Sequence, residues 1–178
     1  MKPEPPIEGG DDSAVWRTDG RPMLHVPRRF LVNNHATVEA ALGRDKYAEI
    51  LYQAGCKSAR YWCDKEARTH GLAGMAVFEH YLERLSRRGW GTFSFIVADA
   101  ASGSADIRLD YSAFVLAQAE VCAAKTCYMF AGWFAGAMDW VGDNVGMPVQ
   151  TLCCETRCGA EGHDHCVFAV RPKPVLAA

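Results

Sequence analysis

The stretch "CCETRCGAEGHDHCVFAV", residues 153–170, holds four of the chain's eight cysteines and two of its six histidines. Its flanks, "PVQTLCCETR" (148–157) and "HCVFAVRP" (165–172), read as two β-strands around the turn-rich loop "CGAEGHD" (158–164). Two adjacent strands bring Cys158 and Cys166 to the two ends of that loop, where their sulfurs approach each other. Thiolates so placed suit a tetrahedral zinc. The C-x7-C spacing is not a C-x2-C knuckle, so two cysteines packed as small apolar residues is an equally open account. Cys153 and Cys154 cannot both face one site, because successive strand residues point to opposite sides of a sheet.

Immediately upstream lies "CYMFAGWFAGAMDWVG" (127–142), with no charge between Cys127 and Met138. The run is too short to cross a bilayer and too apolar for a surface helix, so it reads as a buried central helix. Gly132 and Gly136 give it a small-xxx-small face that lets another backbone come close. Before it, "TFSFIVAD" (92–99) and "ADIRLDYS" (105–112) alternate with period two around "AASGSAD", a hairpin signal. Three helices are expected earlier. The first starts with Asn33 or Asn34 as N-cap and stops at Gly43. The second runs from about Asp45 to His70-Gly71, with a bend or break at Gly55. The third, "LAGMAVFEHYLERLSRR", puts Met75, Phe78, Leu82 and Leu85 on one face and closes at Gly89. The order α-α-α-β-β-α-β-β argues for an α+β domain with an antiparallel sheet, helices preceding every strand.

Composition bounds the rest. A chain of 178 residues with 49% apolar content fits one domain with a sizeable core. A formal charge of −2 with both signs interspersed offers no basic stripe for phosphates, so direct nucleic-acid binding is not expected. Residues 1–22 hold four of the eight prolines and read as a flexible arm ending in the "DGRP" turn. A domain over 23–172 and a tail over 173–178 follow. The acidic, Pro/Gly-rich N-terminus has no apolar signal region, and no stretch is long enough for a membrane span, so a cytoplasmic protein is expected. Thiols stay reduced there, which favours metal binding or chemistry over disulfides.

"CYMFAGWFAGAMDW" followed by "ETRCGAEGHDHCVFAVRP" resembles the C-terminal half of the 4-vinyl reductase domain family, which includes the aromatic-sensing input domains of phenol- and xylene-responsive transcription activators. The resemblance covers about residues 92–172 and is looser over the N-terminal helices. It implies an α+β small-molecule-binding fold, usually dimeric, with zinc beside the ligand pocket. In the sensing members a cysteine at the head of the central helix, a glutamate and two hairpin cysteines hold the metal. By position these are Cys127, Glu155, Cys158 and Cys166, with Cys122 in reserve for Cys127 and His163 for Glu155. Without the family, Glu155 reads as a solvated strand charge. Four protein ligands would close the site, making it structural in type. Glu161, His163 and His165 read as hairpin surface.

His80, in "FEHYLERL", stands where the phenol-sensing relatives place a histidine that bonds the ligand's hydroxyl. The expected ligand-binding group is therefore His80, Tyr111, Phe114, Tyr128 and Trp133. Such a pocket would suit a small apolar, aromatic or methylated-amine ligand through stacking or cation–π contacts. There is no P-loop or G-x-G-x-x-G signature. The expected function is a zinc-containing sensor, carrier or accessory factor in small-molecule catabolism, possessing an aromatic-lined pocket. The alternative is a metal-assisted or reductase-like enzyme, or the subunit of a partner enzyme. A homodimer is expected from the resemblance and from a high aromatic and small-residue load.

Overall fold

A computed structural model describes residues 8–10, 13–18, 21–24, 26–118 and 124–174. Cys122 lies outside the described residues. The first elements are three short strands, β1 (Glu8–Gly10), β2 (Ser13–Thr18) and β3 (Arg21–Pro22), paired antiparallel in that order. The expectation that helices precede every strand is thereby corrected. Polar composition argues against a core, but ladder hydrogen bonds need no apolar side chains. Among the described residues, the hydrophobic core begins at Leu31, on the first helix.

Helix α1 (Arg28–Leu42) starts five residues before Asn33, behind Pro27 with φ −57° and ψ 136°. Proline's fixed φ sets the entry there, and Asn33 becomes an interior residue whose carbonyl accepts the Thr37 hydroxyl at 2.8 Å. Gly43, at φ 78°, ends α1 as the sequence indicates. Helix α2 (Arg44–His70) runs unbroken through Gly55 and stops at Gly71, whose left-handed φ of 64° lets its N–H reach the Ala67 carbonyl. Helix α3 (Met75–Arg87) buries Val77, Phe78, Tyr81, Leu82 and Leu85.

The main sheet is formed by β4 (Thr92–Asp99), β5 (Ser104–Asp110), β6 (Thr151–Arg157) and β7 (Cys166–Pro172), antiparallel in the order β4-β5-β7-β6. Helix α4 (Met129–Asn144) lies between this sheet and α2, making the fold α+β. The inward row comprises Ala105, Ile107 and Leu109 from β5, Phe168 and Val170 from β7, and Cys153 from β6. Phe168 meets Phe134 of α4 edge-on at 5.1 Å, and Phe93 meets Phe130 at 5.3 Å. Two polar ties fix the layers: Asp139 on α4 accepts the Thr151 N–H at 2.8 Å, and the Tyr52 hydroxyl on α2 accepts the Cys153 N–H at 3.0 Å.

Glycine permits α2 and α4 to touch backbone to backbone. A Cβ added at Gly132 would stand 2.1 Å from the Tyr52 carbonyl oxygen, and one at Gly136 would stand 2.4 Å from that of Cys56. Gly55, read from sequence as a bend, belongs to the same seam: its added Cβ would meet Trp133 Cδ1 at 2.5 Å. Among the described residues, no helix is long and apolar enough to cross a membrane.

Candidate metal centre

The head of α4 and the β6–β7 hairpin bring Cys127, Glu155, Cys158 and Cys166 together. One ligand atom from each lies within 4.8 Å of all the others, and all four residues are buried. Strand periodicity alone would not do this. Thr151, Cys153 and Glu155 face inward on β6, and a strict period of two would turn Cys158 outward. A register shift between Glu155 and Arg157 changes the phase, so both Glu155 and Cys158 point into the cluster. Cys166 opens β7 opposite Leu109 of β5. Cys154 faces solvent, and all seven described cysteines are free thiols.

The sulfurs are in mutual contact: Cys166 Sγ lies 3.8 Å from both Cys127 Sγ and Cys158 Sγ. Polar groups converge on them. The Ser112 hydroxyl is 2.9 Å from Cys127 Sγ, the Gly159 N–H donates to Cys166 Sγ at 3.2 Å, and the Thr126 N–H donates to Cys158 Sγ at 3.5 Å. Glu155 Oε2 accepts the Cys127 N–H at 3.0 Å, while its Oε1 is buried without a hydrogen-bond partner among the described residues. Glu161 holds the loop shut by accepting the Cys158 N–H at 3.2 Å through one oxygen and pairing with Lys125 at 3.0 Å through the other. The sequence marked Glu161 as surface and gave no signal for Ser112 or Thr126. Their roles depend on tertiary placement.

Four acidic groups sharing a buried volume cannot all ionise unaided. Burial, reinforced by Cys158, pushes the Glu155 carboxyl up to about 9. Hydrogen bonds to Cys158 and Cys166 push the Cys127 thiol far above its usual range, while Cys127 and Cys166 together draw the Cys158 thiol down. Without a metal the four groups therefore retain protons among them. A divalent cation would replace those protons and give Glu155 Oε1 a partner, so the donor set fits a metal that favours sulfur with one oxygen. His163, the reserve ligand, is exposed.

The five residues expected to bind a ligand do not share one site. Phe114 and Tyr128 meet around His35, a residue the sequence reading passed over, with ring centroids at 4.9 and 5.3 Å; Tyr47 closes the group at 5.2 Å. His35 is only 9% exposed and its Nε2 has no hydrogen-bond partner among the described residues. The Tyr128 hydroxyl donates to Glu39, and Arg44 lies over the Tyr128 ring. This ring cluster adjoins the thiol cluster, since Tyr128 follows Cys127. Trp133 packs edge-on against Trp90 and Phe130. Tyr111 is 75% exposed at a left-handed φ of 54°. Among the described residues, the hydrogen-bond and ring partners of His80 are Glu66, His70 and Trp62. Its pKa is lowered by burial, with His70 and Arg84 adding to the effect. An open depression of about 440 Å³, lined by Arg60, Asp64, Trp140, Asp143 and Asn144, sits at the far end of α4, roughly 24 Å of helix from the cluster.

Residues 1–96 match the family described as "Domain of unknown function (DUF5943)". The chain belongs to this family. No curated protein matches its sequence. The fold of this DUF5943 chain is 4-vinyl reductase-like. It is similar to the phenol-responsive sensory domain of the transcription activator PoxR, solved with phenol, at a TM-score of 0.75 and 15% identity, over 93% of this chain and 84% of that one. A vinyl-4-reductase family protein from Methanocaldococcus jannaschii gives a TM-score of 0.57 and 12% identity, over 85% of each chain. A trafficking protein particle complex subunit 3 from Naegleria fowleri, covalently bound to palmitic acid, gives 0.57 and 15%, over 85% of this chain and 98% of that one.

Proposed function

We propose that this protein is a zinc-containing, small-molecule-binding protein acting as a sensor, carrier or accessory factor in small-molecule catabolism. The observation that carries the reading is the convergence of Cys127, Glu155, Cys158 and Cys166 at the head of the buried helix. Zinc is the ion favoured by three thiolates and a carboxylate in a tetrahedral arrangement. These four ligands would close its coordination, so its task is to tie the helix head to the hairpin and hold the adjoining ring cluster in place.

The ligand site in this reading is the ring cluster beside the metal, with Phe114 and Tyr128 retained from the sequence and His35, Glu39 and Tyr47 added to them. Its rings supply stacking faces and its buried imidazole supplies a hydrogen-bonding group. A phenol, whose hydroxyl the His35 nitrogen can accept, matches both; a methylated amine would instead engage the rings and Glu39. PoxR's phenol-bound sensory domain, on the same fold, favours the aromatic class.

Native mass spectrometry of protein purified without added metal tests the reading. One zinc per chain is expected, lost in Cys158→Ser. Phenol should raise the melting temperature of the wild type and not that of His35→Ala. A metal-free, cooperatively folded wild type would remove the zinc assignment. A melting temperature indifferent to phenol and to tetramethylammonium would remove the ligand assignment.

A further inference from the structure

Away from the thiol cluster, α2 and α3 bring together a second set of metal-ligating atoms: Glu66, His70 and His80. Glu66 and His70 stand one helical turn apart in "EARTH", and His80 approaches from the neighbouring helix. Both histidines present Nε2 to one carboxylate oxygen, Glu66 Oε2, at 3.4 Å from His70 and 2.8 Å from His80. Those are the edges of a coordination polyhedron: ligand atoms about 2.0–2.2 Å from a metal, at angles of 90–110°, stand roughly 2.8–3.6 Å from one another. The two imidazole rings are tilted by 59° with centroids 5.0 Å apart, so they do not stack face to face.

The surroundings orient the set. The Trp62 ring stacks on His80 with centroids 5.7 Å apart and planes 26° apart, fixing that imidazole against α2. Glu66 is buried, with a side chain 1% exposed, whereas the side chains of His80 and His70 are 20% and 38% exposed. The carboxylate thus forms the floor and the two histidines form walls open to solvent.

We propose that Glu66, His70 and His80 form a second metal site, for a divalent first-row transition ion held by two imidazole nitrogens and one carboxylate oxygen. Two nitrogens select zinc, nickel, cobalt or ferrous iron over magnesium and calcium. Three protein ligands leave coordination positions free on the solvent side, for water or an oxygen-donor ligand. The site therefore differs in kind from the closed thiol cluster, and its existence does not depend on the function proposed above.

Cobalt(II) titrated into the full-length, zinc-loaded protein tests this. Native mass spectrometry should show a second ion per chain, with a visible d–d spectrum and no thiolate-to-cobalt charge transfer. His70→Ala and His80→Gln should each lose that second ion while keeping the first and the wild-type melting temperature. His70→Ala is the decisive variant, because its side chain is the most exposed of the three and can be removed without opening the core. A wild type that binds no ion beyond its first at micromolar free cobalt overturns the proposal, as does a second ion that persists in His70→Ala. Failure of the thiol cluster would show itself separately, as the missing charge-transfer band when metal-free protein is loaded with cobalt.

Discussion

Replacing Gly132 by alanine places a methyl group 2.1 Å from the Tyr52 carbonyl oxygen and 2.7 Å from both its carbonyl carbon and Cα, where ordinary contact begins at 3.4 Å. The obstruction is entirely backbone, so no rotamer change relieves it, and α2 must move from α4 by roughly 1 Å. A gap of that size forfeits about a quarter to a half of each affected dispersion contact. Overpacking typically costs about 1–3 kcal/mol, and a backbone obstruction belongs in the upper half of that range. Alanine's helix propensity returns about 1 kcal/mol. The net loss is therefore about 1–2 kcal/mol, or roughly 2–8 °C in Tm for a domain of this size. Gly136→Ala should behave alike, and the double variant should cost much less than the sum, because one displacement of α2 relieves both clashes. Gly55→Ala should cost less, since its nearest obstruction is the Trp133 ring. Guanidinium unfolding followed by tryptophan fluorescence reads all four variants. A Gly132→Ala protein as stable as the wild type, with an unchanged m-value, would refute a seam that rests on backbone contact.

Stripping the metal with a chelator should lower Tm by at least about 6 °C. A cross-link between positions 39 residues apart is worth roughly 3–4 kcal/mol of loop entropy, and calorimetry of the metal-free protein checks it. Glu161→Ala, measured by the zinc dissociation rate, should release the metal faster, because the Cys158 N–H loses its acceptor; Glu161→Gln should restore most of the retention. Burial lowers the His35 pKa, with Glu39 opposing and Arg44 assisting, so the unfolded chain takes up this proton first. The corresponding stability is intact above the ordinary value of 6.5 and drains away as pH falls below it. His35→Phe should flatten that limb of a Tm-against-pH profile. Light scattering at micromolar concentration should give a dimer mass.

The thiol quartet was legible because three of its members come from one short stretch with a recognisable loop, and the family resemblance supplied Cys127 and Glu155. Spacing alone left Glu155 a surface charge, since nothing in "CETRC" announces the register shift that turns Glu155 and Cys158 to the same side. The Glu66–His70 pair stands at i, i+4 spacing but was not singled out from the sequence, because its partner His80 belongs to another helix and only the packing of α2 on α3 unites them. His35 escaped notice for a similar reason: its polar neighbours in "NNHATVE" suggest a helix surface, and burial comes from Phe114 and Tyr128 far along the chain. Gly55 was read as a local break because glycine weakens helices. Its value lies in what it allows Trp133 to approach.

The strand order β4-β5-β7-β6 carries a consequence for how the chain acquires its shape. Strand β7 follows β6 in sequence yet lies between β5 and β6, so these two strands never pair directly and are joined only once residues 166–172 have been synthesised and inserted. On the ribosome, the chain up to residue 165 waits with the facing edges of β5 and β6 open, and open edges invite pairing with other chains. Insertion of β7 closes both edges and delivers Cys166 to the thiol cluster in the same step. Any interruption before that residue removes one of the sheet's two central strands and a member of the thiol cluster together, so a shortened product should aggregate rather than persist as a weaker binder.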